Sequence, residues 1–235
     1  MTANDRDAVH RTARRTDYLG DGIAEDELAA TPLEQVQRWL DAAETRQAER
    51  GDVPEPTAMS VATVDRTGMP NVRTVLMRFL DGRGPGFVTG LTSAKAAEIE
   101  TTGTIAASLT WPSLYRAVRF RGHAVPLDRD EVVDYFVSRP WGSRISAWAS
   151  DQSRGVASRA ALEAAYARFA ERYPDTGSPD DVPVPDDWGG WRVACREVEL
   201  WAGRRNRLHD RLVYARVTSG GLDEARAWAV HRRQP

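Results

Sequence analysis

The chain has 235 residues, 41% of them hydrophobic and 28% charged, with 32 basic and 34 acidic side chains for a formal net charge of −2. That is enough chain and apolar content for a sizeable core, and the balanced charge argues against a general nucleic-acid binder, which gathers a basic excess on one face. No run of about 18 apolar residues offers a membrane-spanning helix, and the one cysteine, Cys195, excludes an internal disulfide framework and a four-cysteine zinc site.

Residues 1–30 are polar, hold few large apolar side chains and read as a mobile N-terminal arm, leaving 31–235 as a single domain. Arg14-Arg15 is superficially like a twin-arginine signal, but no apolar stretch follows it, so a cytoplasmic protein is expected. Thr31 caps a helix with Pro32 at its first position and Glu34 completing a capping box. Leu33, Val36, Leu40 and Ala43 carry that helix to about Arg50. A β texture then runs to about residue 127. Strands are expected over 58–64 and 72–79 around an Asp65–Gly68 turn, at 87–89 after a glycine-rich turn at 81–86, and over 104–111 and 115–125. A short helix over 94–100 interrupts them. Helices follow from Asp128 through Phe136, over 143–149 and over 158–173, then a Pro/Asp loop at 174–187. Strands over 191–201, 208–217 and 225–230 close the chain. The pattern predicts a mainly β fold with inserted helices, an antiparallel barrel rather than a doubly wound sheet.

Most catalytic signatures are absent: no P-loop, no nucleophile elbow and no Rossmann fingerprint. His10, His123, His209 and His231 lack metal-ligand spacing, so no metal is expected. Phosphate chemistry remains. Arg73, Arg78, Ser93, Lys95, Arg139, Ser143, Arg207 and Arg211 lie in strands or at turn and helix starts. Arginine forks grip phosphate in two places, and a lysine binds it as a point charge. Lys95 is the one lysine among the 32 basic residues.

These segments resemble the pyridoxine (pyridoxamine) 5′-phosphate oxidase family. Arg73-Thr-Val-Leu-Met-Arg78 resembles its R-x-V-L-L-K strand and Ser93-Ala-Lys95 its S-R-K turn. The block from Tyr135 through Arg139, Ser143 and Trp148 to Gln152-Ser153 follows Y-F-x-S-R-P-x-x-S-x-I-x-A-W-x-S-x-Q-S. Trp188 to Val193 matches W-G-G-x-R-V, Glu199-Leu-Trp201 matches E-x-W, and Arg207-Leu-His209-Asp-Arg211 matches R-L-H-D-R. Arg14-Arg15, Tyr18 and Gly22 are similar to the family's N-terminal arm.

The resemblance implies a homodimer of FMN-binding split barrels with two active sites at the subunit interface. It implies that Arg73, Lys95, Gln152, Ser153 and Arg211 hold the FMN phosphate and ribityl chain. Trp201 would line the flavin site, and Thr74, Val75, Leu76, Arg78, Val88, Thr89 and Ser93 would belong to the same cofactor side. The substrate phosphate would meet Arg78, Tyr135, Arg139 and Ser143. Arg207 and His209 would reach the substrate ring and reacting carbon, with His209 either orienting the substrate or accepting a proton. The implied reaction oxidises pyridoxine or pyridoxamine 5′-phosphate to pyridoxal 5′-phosphate, with oxygen as acceptor and hydrogen peroxide as by-product. Two small phosphates suit the balanced net charge, with no nucleic-acid or membrane partner.

The sequence departs from the family pattern mainly on the flavin side. Ala94 stands where an arginine is usual, Ala117 where a glutamine contacts flavin, and Val88 where a tyrosine precedes Thr89. These predict weaker FMN binding, or compensation by Arg116 or Arg119. Ala24-Glu25-Asp26 replaces a commonly basic stretch. Two alternatives stay open: a phenazine-type oxidase of the same fold acting on a secondary metabolite, and a non-catalytic flavin- or pyridoxal-phosphate-binding protein.

Overall fold

The computed structural model describes residues 17–235, and nine strands and five helices are found among them. Arg14-Arg15 lies outside the described residues. Helix α1 (Pro32–Arg50) begins where Thr31 Oγ1 accepts the Glu34 N–H at 3.2 Å and ends at Gly51, whose φ of 67° closes the last turn. Strands β1 (Ala58–Val64) and β2 (Pro70–Leu76) form a hairpin. Its turn is shaped by Asp65, whose carboxylate accepts the Thr67 and Met69 N–H groups at 2.8 and 3.0 Å.

The predicted strand over 72–79 is two elements. β2 stops at Leu76, and β3 (Phe79–Asp81) turns through a two-residue loop into β4 (Gly84–Gly90). The break is a change of partner: the Met77 N–H bonds to the Thr57 carbonyl beside β1, and the Arg78 N–H bonds to the Gly86 carbonyl on β4. Arg78 thus stands at a corner between the two halves of the sheet. Helix α2 (Ala94–Thr102) leads into β5 (Thr104–Trp111) and β6 (Arg116–Pro126). Tyr115, expected inside β6, precedes it in a left-handed conformation at φ 52°. Helices α3 (Arg129–Ser138), α4 (Trp141–Ala149) and α5 (Arg159–Arg172) pack as one group before β7 (Trp188–Ala202). β8 (Asp210–Arg216) and β9 (Trp228–Arg232) end the chain.

All pairings are antiparallel, in the order β2-β1-β5-β6-β7-β4-β3, with β8 on β7 and β9 on β8. The fifteen-residue β7 organises the sheet. One edge pairs with β6 throughout, while the other carries β4 at Trp188–Arg192 and β8 at Glu197–Ala202. That change of partner splits the barrel. A bulge at Arg121/Gly122 bends β6 against β7, where a Cβ on Gly122 would stand 2.0 Å from the Ala194 carbonyl oxygen.

Val36, Trp39 and Ala43 of α1 enter the main core with Met59, Val61, Leu109, Val118, Phe120 and Leu200. Each large side chain so buried contributes about 1.5–3 kcal/mol. A second cluster of Phe136, Ile145 and Val182 joins α3 and α4 to the 174–187 loop. The core also reaches into the segment expected to be a mobile arm: Ile23 and Ala29 are buried, and the Tyr214 hydroxyl donates to the Ala29 carbonyl at 2.6 Å. The edge of the core therefore falls before residue 31. Cys195 is buried, and burial pushes its thiol up to about 12, as suits an unreactive strand side chain. Among the described residues no helix is long and apolar enough to cross a membrane.

Candidate active site

The expected cofactor residues of β2, β4, α2 and the 152–153 turn converge. Arg73, Thr74, Val75, Thr89, Lys95, Gln152 and Ser153 line one cavity of about 440 Å³, joined by Asn71 and Ala94. Lys95, in the first turn of α2, is its focus: the side chain is buried, and Nζ donates to Gln152 Oε1 at 2.9 Å, Thr89 Oγ1 at 3.0 Å and Ser93 Oγ at 3.3 Å. All three acceptors are neutral. Burial, with the charge of Arg73 acting the same way, pushes the Lys95 ammonium down to about 8. Arg73 is held by Glu98 at 2.7 Å and by Thr63 Oγ1 at 2.5 Å. Ser153 adopts a left-handed φ of 73°, a conformation that costs about 1–3 kcal/mol outside glycine and clusters at ligand sites. Leu76 and Val88 flank the cavity on β2 and β4 without lining it.

Ala94 opens onto this cavity with no donor to offer. Neither Arg116 nor Arg119 replaces the missing arginine: Arg116 lies over the Trp39 ring at 5.0 Å, and Arg119 bonds to Glu199. A larger open cleft of about 1010 Å³ between the 81–83 turn and the 217–224 loop contains none of the expected site residues.

Three of the expected substrate-phosphate residues, Arg78, Tyr135 and Arg139, gather on the β3 and α3 side. Tyr135 packs edge-on to Phe79 with ring centroids 5.9 Å apart. Arg139 lies over the Trp188 ring at 4.7 Å and the Phe136 ring at 5.6 Å. Its Nη1 is buried without a hydrogen-bond partner. Burial lowers its pKa, and the charge of Arg78 acts in the same direction. Among the described residues neither Arg78 nor Arg139 has a carboxylate partner. Two such cations with an orphaned donor suit an anion. Ser143 stands in the first turn of α4, four residues beyond Arg139.

A second group forms around the β7–β8 end. Trp201 and Arg211 are register partners, and Ala117 faces Trp201 from β6. Arg211 is held by two bonds of 3.0 Å to the fully buried Glu199, which also accepts from Arg119 and from Arg233 at 3.3 Å. Burial pushes the Glu199 carboxyl up, but the hydrogen bonds from Arg211 and Arg119 outweigh it and hold the pKa below its ordinary value. His209 packs against Trp201 at 4.7 Å and Tyr18 at 5.2 Å, and its Nδ1 accepts the Arg204 N–H at 3.1 Å. Burial and the neighbouring Arg207 lower its pKa, so the ring is neutral at pH 7 with its proton on Nε2.

The strand expected to begin at Leu208 begins at Asp210. Arg207 ends a 3₁₀ turn over Arg205–Arg207 with φ 62°, after Asn206 at 59°. Arg207 and His209 therefore do not share a strand face; a strained loop presents them. Two consecutive non-glycine left-handed residues cost about 1–3 kcal/mol each and need surroundings that hold them. Sequence reasoning also passed over Trp188, Glu98 and Glu199 as supports of site residues. The W-G-G and E-x-W motifs marked two of these positions, but their partners are non-local.

Within one chain the two groups attach near opposite ends of β7. Thr89 pairs with Gly189 near the start of β7, and Arg211 pairs with Trp201 near its end. At about 3.3 Å per residue the intervening strand measures about 40 Å. Among the described residues no group of three or more His, Cys, Asp or Glu side chains could hold a metal ion.

The Lys95 cavity and the Trp201–Arg211 group also fall in different matched regions of the chain. Residues 45–173 match the family model described as pyridoxamine 5′-phosphate oxidase, and residues 188–235 match the pyridoxine 5′-phosphate oxidase C-terminal dimerisation region. The chain is 48% identical over 223 residues to a pyridoxine/pyridoxamine 5′-phosphate oxidase of Kineococcus radiotolerans, covering 94% of this chain and 97% of that one. It is 43% identical to one from Streptomyces avermitilis, covering 98% and 99%. Among solved structures it is similar to PhzG of Burkholderia lata, in complex with tetrahydrophenazine-1-carboxylic acid, with a TM-score of 0.79 and 28% identity over 92% of this chain and 99% of that one. With the matched model spanning more than half of the sequence, the chain belongs to the pyridoxamine 5′-phosphate oxidase family of oxidoreductases.

Proposed function

We propose that the protein oxidises pyridoxine or pyridoxamine 5′-phosphate to pyridoxal 5′-phosphate, using FMN, with oxygen as acceptor and hydrogen peroxide as by-product. The observation that carries this reading is the Arg78–Arg139 pair, two cations that among the described residues have no carboxylate partner, with a buried Arg139 Nη1 that finds no hydrogen-bond partner there. A phosphate monoester satisfies that donor and both charges.

The cavity around Lys95 fits the FMN phosphate. Lys95 Nζ, Arg73 and the Gln152-Ser153 turn would hold it, with Thr74, Val75, Thr89 and Ser93 supporting them. FMN supplies the hydride acceptor when bound. Arg78, Tyr135, Arg139 and Ser143 anchor the substrate phosphate and so bring the remote end of the ring to a fixed place. Arg207 and His209 approach that ring. The neutral His209, with Nδ1 satisfied by the Arg204 N–H, presents Nε2–H to orient the substrate.

The separation of the two groups along β7 supports a homodimer in which each active site draws Lys95 and Arg139 from one subunit and Trp201, Arg207, His209 and Arg211 from the other. The match of 188–235 to a dimerisation region supports the same arrangement.

The test is to add FMN to the purified protein, supply pyridoxamine and pyridoxine 5′-phosphates separately, and measure pyridoxal phosphate and peroxide. Arg139→Ala is expected to raise KM for the phosphorylated substrates about tenfold or more, the size of one lost charged hydrogen bond, and to leave FMN binding unchanged. Yellow protein that turns over neither substrate refutes the reading. In that case a reduced phenazine precursor is the next substrate to try, given the likeness to PhzG.

A further inference from the structure

The R-L-H-D-R segment contains one acidic residue, and the roles assigned above leave it unused. Asp210 is 7% exposed and carries three partners, one from the adjoining loop and two from the ends of the chain. Oδ2 accepts the Ile23 N–H at 3.0 Å from the N-terminal segment and a bond from Arg204 Nε in the 203–209 loop. Oδ1 accepts from Arg232 Nη1 at 2.5 Å in the last strand. Arg232 in turn grips Glu25 at 2.7 and 2.8 Å, which fastens the N-terminal segment a second time. The fit is close: Gly22 has φ 76°, and a Cβ there would stand 2.1 Å from Arg204 Nε and 2.2 Å from Asp210 Oδ2.

We propose that Asp210 is a positioning residue for the reaction: by holding the Arg204 side chain and both ends of the chain, it fixes the 203–209 loop and with it His209 and Arg207. The link to His209 is direct. The guanidinium of Arg204 is bound by Asp210, and the backbone N–H of the same residue donates to His209 Nδ1. The loop between them contains the left-handed Asn206 and Arg207, so it does not hold its own shape and depends on anchors at its ends. A buried carboxylate shared by two arginines is such an anchor: losing its charge takes the carboxylate partner from Arg204 and leaves Arg232 with Glu25. Both Asp210 oxygens are turned toward Ile23, Arg204 and Arg232, so its part is exerted through the loop. The inference rests on the reading that His209 and Arg207 meet the substrate, but the anchoring is measurable without turnover.

Asp210→Asn keeps the side-chain shape and removes the charge. In FMN-loaded protein it is expected to lower kcat for pyridoxamine 5′-phosphate about tenfold or more, with KM changed less, because the loop's population in the productive geometry falls. FMN affinity is expected to stay within about threefold, since Arg211 remains on Glu199. Limited trypsin digestion of the same protein reads the loop directly: cleavage after Arg205 and Arg207 is expected to quicken about tenfold or more, while cleavage after Arg168 and Arg172 in α5, away from the clamp, is unchanged. Arg204→Gln should reproduce both effects, and the double variant should be no worse than the stronger single one, because both remove the same clamp. If Asp210→Asn fails to fold, Arg204→Gln alone decides. Unchanged cleavage of the loop with unchanged kcat overturns the proposal. Should the wild-type protein bind FMN but oxidise no B6 phosphate, the functional reading fails, and the digestion still decides whether Asp210 anchors the loop.

Discussion

Replacing Lys95 by methionine keeps most of the side-chain volume in the buried first turn of α2 and removes the ammonium that faces Gln152, Thr89 and Ser93. No neighbour substitutes for it: Ala94 has no donor, and Arg73 already shares its charge with Glu98. A lost hydrogen bond between charged groups costs about 1.5–3 kcal/mol, which at 1.4 kcal/mol per tenfold corresponds to a rise in the FMN Kd of about 10- to 150-fold. Titrating flavin-free protein with FMN and following quenching of flavin fluorescence measures this, with the exposed Arg168→Ala as control. A pH series sharpens it. The ammonium of the flavin-free protein titrates near about 8, and a bound phosphate dianion raises that value. Binding therefore takes up a proton above pH 8, and FMN affinity should fall as pH rises through that region, by no more than about tenfold per unit. Lys95→Met should lose this dependence. A Kd within about twofold of wild type, or an unchanged pH profile in the variant, refutes Lys95 as the phosphate anchor.

The remaining predictions concern the second group and its relation to the first. Mixing Lys95→Met with His209→Ala under conditions of subunit exchange should restore about a quarter of wild-type activity, since half the dimers are hybrids and each hybrid has one site with neither substitution. No recovery after exchange refutes sites shared between subunits. The His209 pKa lies below its ordinary 6.5, so kcat/KM should fall with acid only below that value, and His209→Asn should remove that limb of the profile. Glu199→Gln leaves Arg119, Arg211 and Arg233 around an uncharged buried amide. It should destabilise the protein by about 3 kcal/mol in denaturant titrations and weaken FMN binding through a displaced Arg211.

The elements legible in the sequence were those with local signals. Thr31-Pro32 and Glu34 marked the start of α1, the Asp65–Gly68 turn fixed the β1–β2 hairpin, and β1 and β5 fall on the expected residues. The misplaced boundaries lie where the backbone changes partner or enters a left-handed conformation. β2 ends at Leu76 because the chain leaves β1 for β4, and β8 starts late because Asn206 and Arg207 have positive φ. Neither event has a local residue code: the first is a long-range pairing, and the second is held by contacts to Ile23 and Arg232 at the two ends of the chain.

The sequence by itself pointed to the family and to a set of candidate residues, because arginine forks, one lysine and the motif blocks around Tyr135 and Arg207 are properties of short segments. Only the tertiary structure decided how they are shared out. β7 carries β4 near one end and β8 near the other, so the Lys95 cavity and the Trp201–His209 surface attach to different ends of that strand, an arrangement that suits the proposed sharing of each site between two subunits. Tertiary structure also decided what each cation is free to do. Arg116 and Arg119, equal candidates for a phosphate in the sequence, are occupied by Trp39 and Glu199, whereas Arg139 retains a buried donor with no partner. Charge type is written in the residue, but whether a charge is already neutralised depends on neighbours brought from elsewhere in the chain.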